Sequence, residues 1–148
     1  MLTPELTRLL VAVAVLALAG VAAVWWRRRQ GRVTKVEREG ALSSATLGAQ
    51  RGYHATFLQF STPMCSKCPP TAALLARVAG EDPRVAHIEI DASERLDLAR
   101  ELDIMRTPTI LLLDGDGVPV SRISGAPTEA QAREALAAVP RTGTDYSI

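Results

Sequence analysis

Cysteine is scarce in this chain of 148 residues: there are two, Cys65 and Cys68, three positions apart. Two cysteines confined to one short motif leave nothing for a framework of structural disulfides, so a small disulfide-stapled fold is excluded. The count does not reveal the compartment. Histidine is equally rare, with only His54 and His87. Tetrahedral zinc needs two ligands beyond the cysteines, and these two lack finger-like spacing, which disfavours a metal site. Net charge is also nearly absent, with seventeen basic side chains against sixteen acidic ones and a balance of +1. Residues 1–40 hold seven basic and three acidic residues, whereas residues 41–148 hold ten and thirteen. The C-terminal part therefore presents no basic face for nucleic acid. Lysine supplies only Lys35 and Lys67 of the basic total. No internal repeat or low-complexity tract is present, and the length suits one ordinary domain plus something small.

What the sequence does contain starts with an apolar run from about Leu6 to Trp26, polar only at Thr7 and Arg8. About 20 such residues span a bilayer as a helix. Trp25-Trp26 falls where an aromatic belt would lie, and Arg27, Arg28, Arg29, Arg32, Lys35 and Arg38 follow it. A cleaved signal peptide is the competing reading, because Ala17-Leu18-Ala19 imitates a cleavage site. Apolar sequence continues past that point and little positive charge precedes it, so a retained single-pass membrane anchor is expected over residues 1–28. The run is apolar all round, unlike an amphipathic core helix. Basic residues concentrated after the span put the remainder on the cytoplasmic side by the positive-inside rule. Residues 29–51, charged and then rich in small side chains, are expected to be mainly linker, with room for a short strand around Arg32–Val36 and a helical turn around Leu42–Gln50.

The rest reads as alternating elements. Strands are expected over His54–Phe60, Val85–Asp91, Thr109–Leu113 and Val118–Ile123. Helices are expected over Pro69–Ala79, over Arg95–Leu102 and after a capping Thr128. Asp114-Gly115-Asp116-Gly117 has the chemistry of a hairpin turn. Residues 141–148 are expected to be a C-terminal tail.

Cys65-Ser66-Lys67-Cys68 follows the apolar run Thr56–Phe60 directly. A C-x-x-C passing from a strand into a helix, within a βαβ-like pattern, reads as a thiol–disulfide redox pair. Placed there, the first thiol lies near unpaired backbone N–H groups and the positive end of the helix dipole, which favour a thiolate. Cys65 is then the attacking thiol and Cys68 the resolving one. Two inert core thiols are the bland alternative. Forty residues on, Thr107-Pro108-Thr109 precedes the apolar Ile110–Leu113.

These signals, in this order, resemble the thioredoxin-like superfamily, and with the apolar leader they resemble membrane-tethered bacterial thioredoxin family proteins. The resemblance covers residues 52–140. It implies an α/β thioredoxin-like fold, a central mixed sheet flanked by helices, preceded here by one transmembrane helix. It also implies a protein-disulfide oxidoreductase whose only redox group is the Cys65–Cys68 pair, with no separate cofactor and no metal. Its partners would be protein thiols or disulfides and a redox partner. Thr107-Pro108 would be a cis-proline loop, with Pro108 shielding the thiols and Thr107, together with Met64, contacting substrate.

The chain departs from the family at several positions. Ser66 and Lys67 stand where Gly-Pro is usual, and residues there tune the thiols. Met64 stands in place of a tryptophan. Gln59 replaces a buried aspartate that takes the resolving thiol's proton, a role a glutamine amide cannot fill. His87, on the neighbouring strand, is a candidate proton relay. Many tethered relatives face outward, so an extracytoplasmic domain is the alternative to the charge-based placement. Two functional alternatives are a Cu(I) carrier built on the thiolates and a redox-inert peptide-binding module.

Overall fold

The computed structural model describes residues 4–29, 31–36 and 40–140. Its contacts divide the chain into two compact units that part after residue 30. The first is the helix α1 (Pro4–Arg29), 26 residues with none buried. Its mean hydropathy reaches 2.5 over an 18-residue window, so it is long and apolar enough to cross a membrane. Glu5 lies in the first turn and Arg27–Arg29 in the last, matching the helix dipole at both ends.

The second unit consists of β1 (Arg32–Lys35), α2 (Ser44–Leu47), β2 (Ala55–Ser61), α3 (Cys68–Ala79), β3 (Val85–Asp91), α4 (Leu96–Glu101), β4 (Thr109–Asp114), β5 (Pro119–Ser124) and α5 (Glu129–Ala137). Five strands form one mixed sheet in the order β1-β5-β4-β2-β3. Only β2 and β3 run parallel, in a register from Ala55↔Val85 to Ser61↔Asp91. Every residue of β2 is buried, because helices cover both faces of the sheet. Side chains alternate across the pleat. Phe57 therefore joins Leu75, Val78, Ile110 and Leu112 in one core, while Leu58 and Phe60 join Ile88, Leu98, Leu111 and Leu113 in the other. Each such side chain contributes about 1.5–3 kcal/mol through burial. Near the start of β2, a Cβ on Gly52 would lie 2.2 Å from the Ala55 carbonyl oxygen and 2.6 Å from that of Arg84. Only glycine fits there.

Residues 29–51, expected to be mainly linker, hold the short strand and the helical turn for which they had room, as β1 and α2, and both are built into the domain. β1 pairs antiparallel with β5 from Arg32↔Ser124 to Lys35↔Ser121 and forms one edge of the sheet. Leu42 and Leu47 are buried in the first-mentioned face's opposite core, beside Leu58 and Phe60. The Leu42 amide also donates to the Gly117 carbonyl at 2.9 Å. Backbone pairing and two apolar anchors thus draw most of this segment into the domain. Arg38 and the tail at 141–148 lie outside the described residues.

The topology places two loops at one end of the sheet. β4 runs antiparallel to β2, so Thr109 at its start pairs with Phe60 near the end of β2. The loop ahead of β4 therefore meets the loop that leads from β2 into α3.

Candidate functional site

That junction holds the dithiol. Cys65 and Cys68 form a disulfide of S–S 2.20 Å, with their Cα atoms 5.4 Å apart. The Cys65 amide donates to the Thr62 carbonyl at 3.0 Å and the Cys68 amide to the Cys65 carbonyl at 3.2 Å, which winds the segment into a tight turn. α3 starts at Cys68, and its N-cap position, Lys67, supplies no side-chain cap. Pro69 and Pro70 fall in the first turn, where the N–H groups they lack would have no helical partner. Cys65 is half-buried, while Cys68 is only 2% exposed. An incoming sulfur meets Cys65 first. Ser66 and Lys67 are exposed between the two cysteines.

The facing loop is closed by backbone geometry. The Thr107–Pro108 peptide is cis. Pro108 is buried, and its carbonyl accepts from the Gly125 amide at 2.8 Å. The hydroxyls of Thr62 and Thr107 lie 3.3 Å apart, joining this loop to the one that carries the cysteines. Met64, between those hydroxyls and the dithiol in sequence, is 94% exposed.

Beneath the dithiol lies a polar cluster. Gln59 is wholly buried, and its amide nitrogen donates to the Cys68 carbonyl at 3.1 Å and to Ser61 Oγ at 3.0 Å. A carbonyl can only accept, so the nitrogen of Gln59 must face Cys68 and its oxygen must face away. That oxygen lies 3.1 Å from His87 Nε2, which must therefore carry its proton on Nε2 and donate. Ser61 Oγ donates in turn to Glu89 Oε1 at 2.6 Å. Burial pushes the His87 pKa below its usual value, with the Glu89 carboxylate opposing the shift. His87 is thus neutral near pH 7, and Gln59 stands between it and Cys68.

The structure therefore brings Gln59, His87 and Cys68 together in one connected network, and Thr107–Pro108 onto the loop bearing Cys65. Ser61 and Glu89 were not singled out by sequence. Their signal was present in the pleat: Gln59 and Ser61 share a face of β2, and the parallel register sets Glu89 beside Gln59. Among the described residues no group of three or more His, Cys, Asp or Glu side chains could hold a metal ion.

Residues 41–140 match the family model described as thioredoxin-like domain, and the chain belongs to that family. It is 36% identical over 78 residues to a thioredoxin of Methanocaldococcus jannaschii, covering 52% of this chain and 86% of that one. It is 30% identical over 95 residues to a thioredoxin of Mycolicibacterium smegmatis, covering 62% and 81%. Among solved structures, Fasciola hepatica thioredoxin superposes with a TM-score of 0.54 at 25% identity, covering 60% of this chain and 84% of that one. With a paired Cys65–Cys68 at the start of α3, the fold and site are those of a thiol–disulfide oxidoreductase.

Proposed function

We propose that the protein is a membrane-anchored oxidoreductase that exchanges electrons with protein dithiols and disulfides through Cys65–Cys68. In the cytoplasmic orientation favoured by Arg27–Arg29 it works as a reductant. The observation that carries this reading is the asymmetry of the pair, with a reachable Cys65 ahead of a helix N-terminus and a Cys68 shielded within its first turn.

The Cys65 thiolate attacks one sulfur of the client disulfide, forming a mixed disulfide and releasing one client thiolate. Cys68 then loses its proton and attacks Cys65 Sγ, which releases the second client thiolate and restores the Cys65–Cys68 disulfide. Two electrons pass to the client. A partner dithiol replaces them. Gln59 cannot take the Cys68 proton, so the proton leaves to water or to the departing client thiolate. Thr107, at the rim, offers backbone to an extended client segment. Gln59, Ser61 and His87 position the first turn of α3 through the Cys68 carbonyl. α1 supplies the anchor.

Reduction of insulin disulfides tests this scheme. Cys65→Ser should abolish it, and Cys68→Ser should accumulate mixed disulfides that run as a thiol-sensitive adduct on a gel. Trapping by Cys65→Ser alone would reverse the roles. Insulin reduction that survives both substitutions would exclude exchange through this pair.

A further inference from the structure

Both internal methionines of the chain lie on the surface: Met64 is 94% exposed and Met105 90% exposed. Methionine is among the residues most often buried, so two fully exposed ones invite a reason. They sit symmetrically about the site. Met64 follows Thr62 by two residues and Met105 precedes Thr107 by two, and those threonine hydroxyls lie 3.3 Å apart. The two thioethers therefore belong to adjoining loops around Cys65. Among the described residues of this unit, the other exposed large apolar side chains are Tyr53 at 82% and Leu96 at 53%.

Charge close to the two methionines is cationic, with Asp103, at the start of the loop ahead of β4, the one acidic residue of these two loops. Residues 62–68 and 104–108 carry two ionisable side chains apart from the cysteines, Lys67 and Arg106, both cationic and both exposed. Long unbranched thioethers adapt to apolar groups of many shapes, so they provide contact with little discrimination. Fixed cations beside them discriminate by charge and steer encounter. We propose that Met64, Met105, Lys67 and Arg106 form a docking rim for an extended client segment whose reactive cysteine is flanked by one large apolar residue and by carboxylates. This inference rests on the exchange reading above and adds the class of client.

The test uses the reduced full-length chain in detergent micelles and a first pair of synthetic peptides. Each peptide carries one cysteine as its mixed disulfide with 2-nitro-5-thiobenzoate, flanked by Leu and Asp in one and by Leu and Arg in the other. Release of the coloured thiolate reports the exchange rate. The acidic peptide should react about fivefold to tenfold faster at low ionic strength, with the ratio shrinking in high salt. Arg106→Glu should bring the ratio to one or invert it, and Arg106→Gln should lower it part way. In a third peptide, Ser in place of Leu should slow exchange, and the double substitution Met64→Ser with Met105→Ser should erase that difference. Equal rates for the acidic and basic peptides, or a ratio that Arg106→Glu leaves unmoved, would overturn the docking rim while leaving the exchange chemistry standing. No thiolate release from any peptide would remove the exchange reading, and the rim with it.

Discussion

The amide nitrogen of Gln59 is 3.1 Å from the main-chain carbonyl of Cys68, a hydrogen bond that ties the buried end of β2 to the first residue of α3. The same nitrogen binds Ser61, and the same side chain's oxygen accepts from His87. A neutral group satisfied on all sides is what a fully buried polar position requires.

Replacing Gln59 with Leu keeps the bulk and leaves the His87 Nε2–H with no acceptor, so about 2–3 kcal/mol of stability should be lost. Gln59→Glu is more informative. Burial would raise that carboxyl's pKa above its unfolded value, so the variant's stability would be full below the unfolded pKa and lost as pH rises through the folded one. Urea denaturation at several pH values should show the variant losing ground to the native chain on alkalinisation. The opposite slope would mean that the carboxylate is solvated and the cluster open.

His87 gives the native chain a dependence of its own. Its folded pKa lies below the usual 6.5, through burial. The unfolded chain therefore binds the proton first. Stability is intact above about 6.5, is lost as pH falls from there towards the folded pKa, and changes no further below it. His87→Gln should flatten this part of the profile, and the His87 ring proton should titrate in NMR with a midpoint below 6.5. A midpoint above 6.5 would contradict the assignment.

Gly52→Ala should be among the most damaging single changes. Its new methyl would meet the carbonyl oxygens of Ala55 and Arg84 and, at 2.7 Å, the amide of Ala86, all of them backbone. β2 and β3 would have to part at their shared end. A cost of about 3 kcal/mol or more is expected by urea denaturation.

Thr128 and Gln131 close the N-terminus of α5 reciprocally, each side chain bonding the other's backbone amide. Thr128→Ala should cost about 1 kcal/mol, and Thr128→Ser most of that less.

Orientation can be read with fusions to the C-terminus. If the charge of Arg27–Arg29 governs insertion, an alkaline phosphatase fusion should be silent and a green fluorescent fusion bright. Neutralising the three arginines should give mixed orientation. A strongly active phosphatase would place the domain outside and remove the argument for a reductant.

The parts of the fold legible in the sequence were those with local causes. Cys65 through Cys68 announces itself within four residues. β4 reads as an apolar run from Ile110 to Leu113 and β2 as a mainly apolar one, because both faces of the sheet are covered. β1 could be marked only as room for a short strand, since three of its four residues are exposed and only Val33 packs on a core. Its identity comes from pairing with β5, some ninety positions later in the chain. The tie between Ser61 and Glu89 is likewise created by strand register, which no local pattern encodes. Gln59 and His87 could be marked individually, but their joint hold on Cys68 required the parallel alignment of β2 and β3.

The placement of β1 beside β5 has a consequence at the opposite margin. Among the described residues no strand flanks β3 on its outer side, so its outer backbone row lies open to any extended chain that drifts past. Unguarded margins of this sort seed edge-to-edge aggregation. Here Glu89 and Asp91 stand at alternate positions near the end of the strand, and adding another strand would crowd their carboxylates against it. Glu89 thus meets two demands at once: it accepts a hydrogen bond from Ser61 beneath the dithiol, and it places a charge on the strand that edges the sheet.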